Sequence, residues 1–202
     1  MKDITIFENF LTDEELKESQ QFLDDSAFLH PIQQNEYFTS RWMFSEIDNC
    51  YKKIVVDERP ESYPKFEFGE LTPSARIFIS KLKDKIEKYV NTKFDLQRVY
   101  INRQKHGENV PLHIDDLNPC AYTFLIYMGD IIPENFDKTG GVLEFNNKEK
   151  TRIEPFSRRA VLFRGDIPHR VFAPAIPDIT RISFAFKFLD TSKDFPFIVS
   201  YT

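Results

Sequence analysis

The hydrophobic and polar positions are most regular near the end of the chain. In TRISFAFKF, period-2 alternation puts Ile182, Phe184, Phe186 and Phe188 on one face of a strand and Arg181, Ser183, Ala185 and Lys187 on the other. The first face suits a core; the second carries polar and charged groups. AYTFLIYM divides in the same way, with Thr123, Leu125 and Tyr127 opposite Phe124, Ile126 and Met128. Two strands that each turn hydrogen-bonding side chains to one side predict the wall of a ligand pocket. RVYINR, GVLEF, RAVLFR and RVF add short apolar runs at regular intervals after Leu96, the spacing of a sandwich or barrel.

The first half has a different period. FLTDEELKESQQFL opens with Thr12 and Glu15 in capping-box spacing, flanked by Leu11 and Leu16 where a hydrophobic staple would sit, so a helix is predicted to start there. A second helix is predicted from Pro73, with Ala75, Phe78, Ile79, Leu82, Ile86, Tyr89 and Val90 at three- and four-residue spacing. Each has one apolar stripe to bury, which packs both against the outside of a sheet. Residues 31–70 show no period, and Pro31, Pro60 and Pro64 break them into aromatic pieces such as EYFTSRWMF and YPKFEF. Short strands and long loops are expected there, either as a lid or as irregular structure covering the core. The expected organisation is a single domain over residues 1–202, with N-terminal helices and the lid segment in 1–96, a β-rich core in 97–190 and a C-terminal tail in 191–202.

Composition narrows the partners. With 202 residues, 41% hydrophobic and 29% charged, the chain is long enough for one substantial core, and 21 phenylalanines suit half-buried strands. A net charge of -5 and a pI near 5.5 disfavour nucleic acid and anionic membranes. Cys50 and Cys120 are too few for a disulfide framework, MKDITIFENF lacks the apolar run of a secretory signal, and no stretch is long enough to span a membrane. A reducing, cytoplasmic setting is expected.

The chemistry is expected around PLHIDD. His113 and Asp115 are two apart on an extended segment, so their side chains share a side, and His169 in RGDIPHRVF can arrive from a neighbouring strand. Two imidazoles and one carboxylate form the facial triad that binds non-haem iron(II) and leaves positions open for a chelating co-substrate and dioxygen. Arg181 follows His169 by 12 residues, with Ser183 on the same face. A guanidinium fork and a hydroxyl would grip a carboxylate there. The alternatives for Arg181 are a structural ion pair with an acid such as Glu144, or a place at the barrel's open end.

LHID, the GG of KTGGVLEF, VLFRGDIPHRV and TRISFAF, in that order, resemble the iron(II)- and 2-oxoglutarate-dependent oxygenases, particularly their prolyl-hydroxylase-like branch. The resemblance spans about residues 97–190. It implies a mainly β fold with supporting helices, built on a double-stranded β-helix or jelly-roll core like that of cupins. It also implies that His113, Asp115 and His169 are the iron ligands and the catalytic centre. Arg181, Ser183 and Tyr127 then match the residues around the distal carboxylate of 2-oxoglutarate, and ascorbate is a possible reductant. Many relatives carry a tyrosine nine residues before the first histidine, where this chain has Gln104, although Gly107 does match. Tyr100 and Asn102 lie on the same alternating face as Gln104 and are the favoured co-substrate contacts. His30 and His106 are expected to be exposed and to bind no metal. Gly140-Gly141 is expected to permit a turn.

The activity so implied is hydroxylation of a C–H bond with release of succinate and carbon dioxide, acting on a peptidyl residue, proline first, with Arg41, Trp42 and Tyr37 as candidate substrate contacts. The alternatives are an amino-acid or metabolite hydroxylase of the same family, a zinc-dependent hydrolase, and a non-catalytic jelly-roll binding module. The Arg181–Ser183 pair argues against a hydrolase, and the complete triad argues against a mere binding module. A halogenase is disfavoured because Asp115 is present.

Overall fold

The computed structural model describes residues 3–24, 41–45, 50–55, 65–69 and 73–192. In chain order the elements are β1 (Ile4–Phe7), α1 (Asp13–Asp24), β2 (Arg41–Ser45), β3 (Cys50–Val55), β4 (Lys65–Gly69), α2 (Pro73–Val90), β5 (Phe94–Gln104), β6 (Val110–His113), β7 (Ala121–Tyr127), α3 (Phe136–Thr139), β8 (Leu143–Phe145), β9 (Arg152–Ile153), β10 (Ala160–Arg164), β11 (His169–Val171) and β12 (Arg181–Asp190). An eight-stranded antiparallel sheet runs in the order β1-β10-β7-β12-β5-β2-β3-β4, and a four-stranded sheet in the order β6-β11-β8-β9 faces it. The predicted jelly-roll is therefore present, with helices on its outer side.

The alternation of β12 explains the layering. Phe184, Phe186 and Phe188 pack with Phe124, Ile126 and Met128 of β7 and its end against Phe78, Ile79, Leu82 and Ile86 of α2. On the other face, Leu125, Tyr127 and Ala185 meet Leu143, Phe145, Ile153 and Val171 of the small sheet. The helices thus cover one side of the large sheet, and the small sheet covers the other. At roughly 25 cal/mol per Å² of buried apolar surface, these two contacts are the main stabilising term.

α1 begins as its sequence predicts. Thr12 N–H donates to Glu15 Oε2 at 2.8 Å, and Glu15 N–H donates to Thr12 Oγ1 at 3.2 Å, completing the capping box. Among the described side chains the stripe of α2 holds except at Tyr89, which is 55% exposed while its ring edge meets Phe7 and Phe10.

Three strands were not anticipated as such: β1, which pairs with β10, β6, which carries His113, and the two-residue β9. β5 also starts earlier than RVYINR suggests. Its apolar positions change parity, from Phe94 and Leu96 to Val99 and Ile101, and a bulge opposite Lys187 and Phe188 lets all four reach the helical side. Within residues 31–70 the described parts are β2, β3 and β4, short strands extending the large sheet beyond β5. Tyr37 and His30 lie outside the described residues; Arg41 and Trp42 are on β2, where Arg41 pairs with Asn102.

Candidate active site

Between the sheets lies a cavity of about 210 Å³. Its floor is the polar face of β12 flanked by β5 and β7. The register puts Arg181 opposite Gln104, Ser183 between Asn102 and Tyr127, and Lys187 between Arg98 and Thr123. Its roof comes from β6, β8 and β11.

His113 ends β6 and His169 begins β11, and the two are directly paired, with ring centroids 4.3 Å apart. Asp115 sits in the bend after β6, where its N–H and that of Asp116 both donate to Gly165 O at 2.8 and 3.1 Å. The bend is thereby fixed from the loop that leads to His169. Each imidazole places Nδ1 2.9 Å from a carbonyl oxygen two residues earlier, Pro111 O for His113 and Ile167 O for His169. A carbonyl only accepts, so Nδ1 carries the hydrogen and Nε2 offers its lone pair inward. The Nε2 atoms lie 3.7 Å from Asp115 Oδ1 and Oδ2 respectively, and one donor atom from each residue lies within 4.8 Å of the others.

Charge reinforces this arrangement. Burial alone would raise the Asp115 pKa, but His113, Lys187 and His169 together outweigh it and hold the carboxyl well below its usual range. His113 is raised, chiefly by its interaction with Asp115, whereas burial lowers His169 despite the same carboxylate. An ionised carboxylate between two imidazoles, with inward-facing nitrogens, is a donor set suited to a divalent transition metal.

Arg181 is 3% exposed and has no acid beside it among the described residues. Glu144, the possible structural partner, is held by Arg170 at 2.5 Å and Arg152 at 3.6 Å. Arg181 instead donates to neutral acceptors, Gln104 Oε1 at 3.4 Å and Tyr127 Oη at 3.3 Å, and lies 4.9 Å over the Tyr127 ring. Arg181 Nε, Ser183 Oγ and Asn102 Oδ1 are all buried without a hydrogen-bond partner among the described residues. Buried polar atoms without partners are costly, and three of them on one stretch of wall mark a place for a polar ligand.

Tyr127, expected to reach that ligand, is enclosed behind Arg181 and does not line the cavity; burial raises its pKa, against the pull of Arg181. Of the three residues of β5 considered for co-substrate contact, Gln104 rather than Asn102 touches Arg181, while Asn102 lines the cavity. The side chain of Tyr100 lies outside the described residues; its backbone pairs with Ala185. His106 is exposed and binds the Pro174 carbonyl at 3.0 Å.

Lys187 was not assigned a role from sequence. It is 7% exposed, touches Asp115 Oδ2 and donates to Thr123 Oγ1 at 2.6 Å; Thr123 in turn donates to Asp115 Oδ2 at 2.7 Å. The signal was present, since Lys187 shares the alternating face of Arg181 and Ser183.

This architecture has solved counterparts. A 2OG-Fe(II) oxygenase family oxidoreductase from Burkholderia pseudomallei aligns over 93% of this chain and 84% of its own, with a TM-score of 0.58 and 12% identity. The fold is that of the 2OG-Fe(II) oxygenases. A prolyl hydroxylase from Trichoplax adhaerens, in complex with a hypoxia inducible factor oxygen degradation domain peptide, aligns over 94% and 84% with a TM-score of 0.59 and 18% identity. HygX from Streptomyces hygroscopicus, with nickel and 2-oxoglutarate bound, aligns over 94% and 83% with a TM-score of 0.62 and 13% identity. No family model matches the sequence, and no curated protein does. In this oxygenase fold, the triad and Arg181 of the present chain line one shared cavity.

Proposed function

We propose that the protein is an iron(II)- and 2-oxoglutarate-dependent oxygenase that hydroxylates a C–H bond. The observation that carries this reading is Arg181: a buried guanidinium with no acid beside it among the described residues, in the same cavity as a two-histidine, one-carboxylate donor set. A metal-dependent hydrolase would have no use for that second anion site, and a binding module would have no use for the triad.

His113, Asp115 and His169 would hold the iron. Bound iron supplies the activation of dioxygen, whose four-electron reduction takes two electrons from 2-oxoglutarate, giving succinate and carbon dioxide, and two from the C–H substrate, giving an alcohol. The chain's own residues orient and shield. Arg181 would grip the distal carboxylate, with Ser183 Oγ and Asn102 Oδ1 available as the adjoining hydrogen-bonding groups and Gln104 and Tyr127 holding the guanidinium in place. Leu125, Leu143, Phe163 and Val171 wall the cavity and keep water from the reacting centre.

We propose a peptidyl residue, proline first, as the substrate. The ligand-bearing segment supports an extended chain: Leu112, Ile114 and Leu117 are 52%, 39% and 81% exposed, and Ile114 lines the cavity. Such an apolar rim suits a chain laid across the mouth.

The test is spectroscopic, then catalytic. Anaerobic protein with iron(II) and 2-oxoglutarate should develop a visible metal-to-ligand charge-transfer band, and Asp115→Ala or His169→Ala should abolish it. Proline-containing peptides should then stimulate succinate formation in air and gain one oxygen atom. Zinc-supported hydrolysis with no such band would overturn the oxygenase reading. Stimulation by free metabolites, with peptides inert, would move the substrate to small molecules.

A further inference from the structure

The two oxygens of Asp115 are not equivalent. Distance to the imidazoles does not separate them, since Oδ1 lies 3.7 Å from His113 Nε2 and Oδ2 lies 3.7 Å from His169 Nε2. Hydrogen bonding does. Thr123 Oγ1 donates to Oδ2 at 2.7 Å, and the Lys187 ammonium touches the same oxygen. A carboxylate oxygen accepts through two lone pairs, so both of those on Oδ2 are engaged, while those on Oδ1 stay open on the His113 side.

The direction of the hydroxyl is forced. An ammonium only donates, and Lys187 Nζ donates to Thr123 Oγ1 at 2.6 Å, which leaves the single hydroxyl hydrogen of Thr123 to go to Asp115. The pair is also firmly placed. Thr123 and Lys187 are register partners on β7 and β12, 1% and 7% exposed, in the wall of the large sheet that lines the cavity with the triad. Asp115 belongs to the opposite side, and its N–H is fixed to Gly165 O at 2.8 Å, so the side-chain torsions are what remains to be set. The two donors from the large sheet set them.

We infer that Thr123 and Lys187 are positioning residues that hold Asp115 to metal ligation through Oδ1 alone. On the oxygenase reading, on which this inference rests, the donor set must leave room on one ion for a two-point chelate and for dioxygen. A carboxylate ligating through both oxygens would take up one of those positions. Engaging Oδ2 from the large sheet keeps that position open.

Manganese(II) is the probe, because its bound waters can be counted by water-proton relaxation. Without 2-oxoglutarate the wild type should hold about three waters, the positions an octahedral ion keeps beyond three single-atom protein donors. Lys187→Met, alone or combined with Thr123→Val, should hold one water fewer, and Thr123→Ser, which keeps the hydroxyl, should match the wild type. A merely structural role for the pair would move the urea midpoint and leave the count alone. An unchanged count in both methionine variants would therefore overturn the inference. So would a wild type that already holds one water fewer, a result that needs no variant to fold, or a triad that binds no manganese. Adding 2-oxoglutarate tests the underlying reading separately, since a chelate should displace about two waters from the wild type. If it displaces none while the difference between wild type and variants persists, the oxygenase reading fails and the role of Thr123 and Lys187 stands.

Discussion

Replacing Arg181 with methionine should separate the stability of the fold from its affinity for co-substrate. The guanidinium is 3% exposed, sits over the Tyr127 ring and, among the described residues, hydrogen-bonds only to Gln104 and Tyr127 and leaves Nε without a partner. A buried charge with so little compensation contributes little to folding. Exchanging buried ionic groups for apolar ones of similar size is often neutral or stabilising by about 1–4 kcal/mol. Arg181→Met should therefore unfold at an equal or higher urea midpoint without ligands. With iron(II) present anaerobically, 2-oxoglutarate at 100 times its dissociation constant should stabilise the wild type by about 2.7 kcal/mol. Losing a hydrogen-bonded charge partner costs about 2–5 kcal/mol of affinity, so at the same concentration the variant should gain less than about 1 kcal/mol. Parallel urea titrations with and without 2-oxoglutarate measure both quantities. If the variant keeps the full ligand-dependent gain, Arg181 does not bind the co-substrate; if it collapses without ligand, the arginine is structural.

Two further substitutions test the frame around the site. Glu87 is 4% exposed and accepts from Lys93 at 2.7 Å, Phe94 N–H at 2.9 Å and Lys83 at 3.0 Å. Burial would raise its pKa, but these three partners lower it to about 2. The native state thus favours the ionised form, so Glu87 should contribute about 2–3 kcal/mol that is fully present above pH 4.5 and lost as pH falls toward 2. Glu87→Gln should lower the neutral-pH urea midpoint but converge with wild type in acid, and a gap that does not close with pH would show that ionisation is irrelevant. At Gly141, φ is +91°, and an added Cβ would come within 3.3 Å of Ile131 and Pro155 and 3.5 Å of the Arg181 side chain. Gly141→Ala should cost about 1–3 kcal/mol and weaken 2-oxoglutarate binding by displacing Arg181, as the same pair of titrations would show.

Much of this molecule is legible in its sequence because burial imposes a period. β12 and β7 alternate cleanly since one face must meet the helices and the other the cavity, and the α2 stripe is legible because Phe78, Ile79, Leu82 and Ile86 all go inward. His113 and Asp115 could be read as a pair because an extended segment puts alternate side chains together. β1 and β9 could not, since strands of four and two residues carry too little pattern and exist through partners far along the chain. Lys187 was passed over for a related reason: a lysine on a strand normally faces water, and only the fold brings Asp115 and Thr123 against it.

Register is the part that local pattern does not supply. Alternation alone offers Tyr100, Asn102 and Gln104 equally to the cavity, and the choice of Gln104 as neighbour of Arg181 depends on how β5 slides along β12. Moving β5 by one residue would set Arg103 opposite Arg181 and turn Val99 and Ile101 away from the helices, which bury both to within 4% of full enclosure. Like charges would then face one another where the present register pairs Arg181 with an amide. The bulge opposite Lys187 and Phe188 completes the arrangement, since without it Phe94 and Leu96 would face the cavity whenever Val99 and Ile101 face the helices. The same apolar contacts that hold α2 to the sheet therefore fix which polar side chains line the site, and a small change of packing on the helical side would be felt at Arg181.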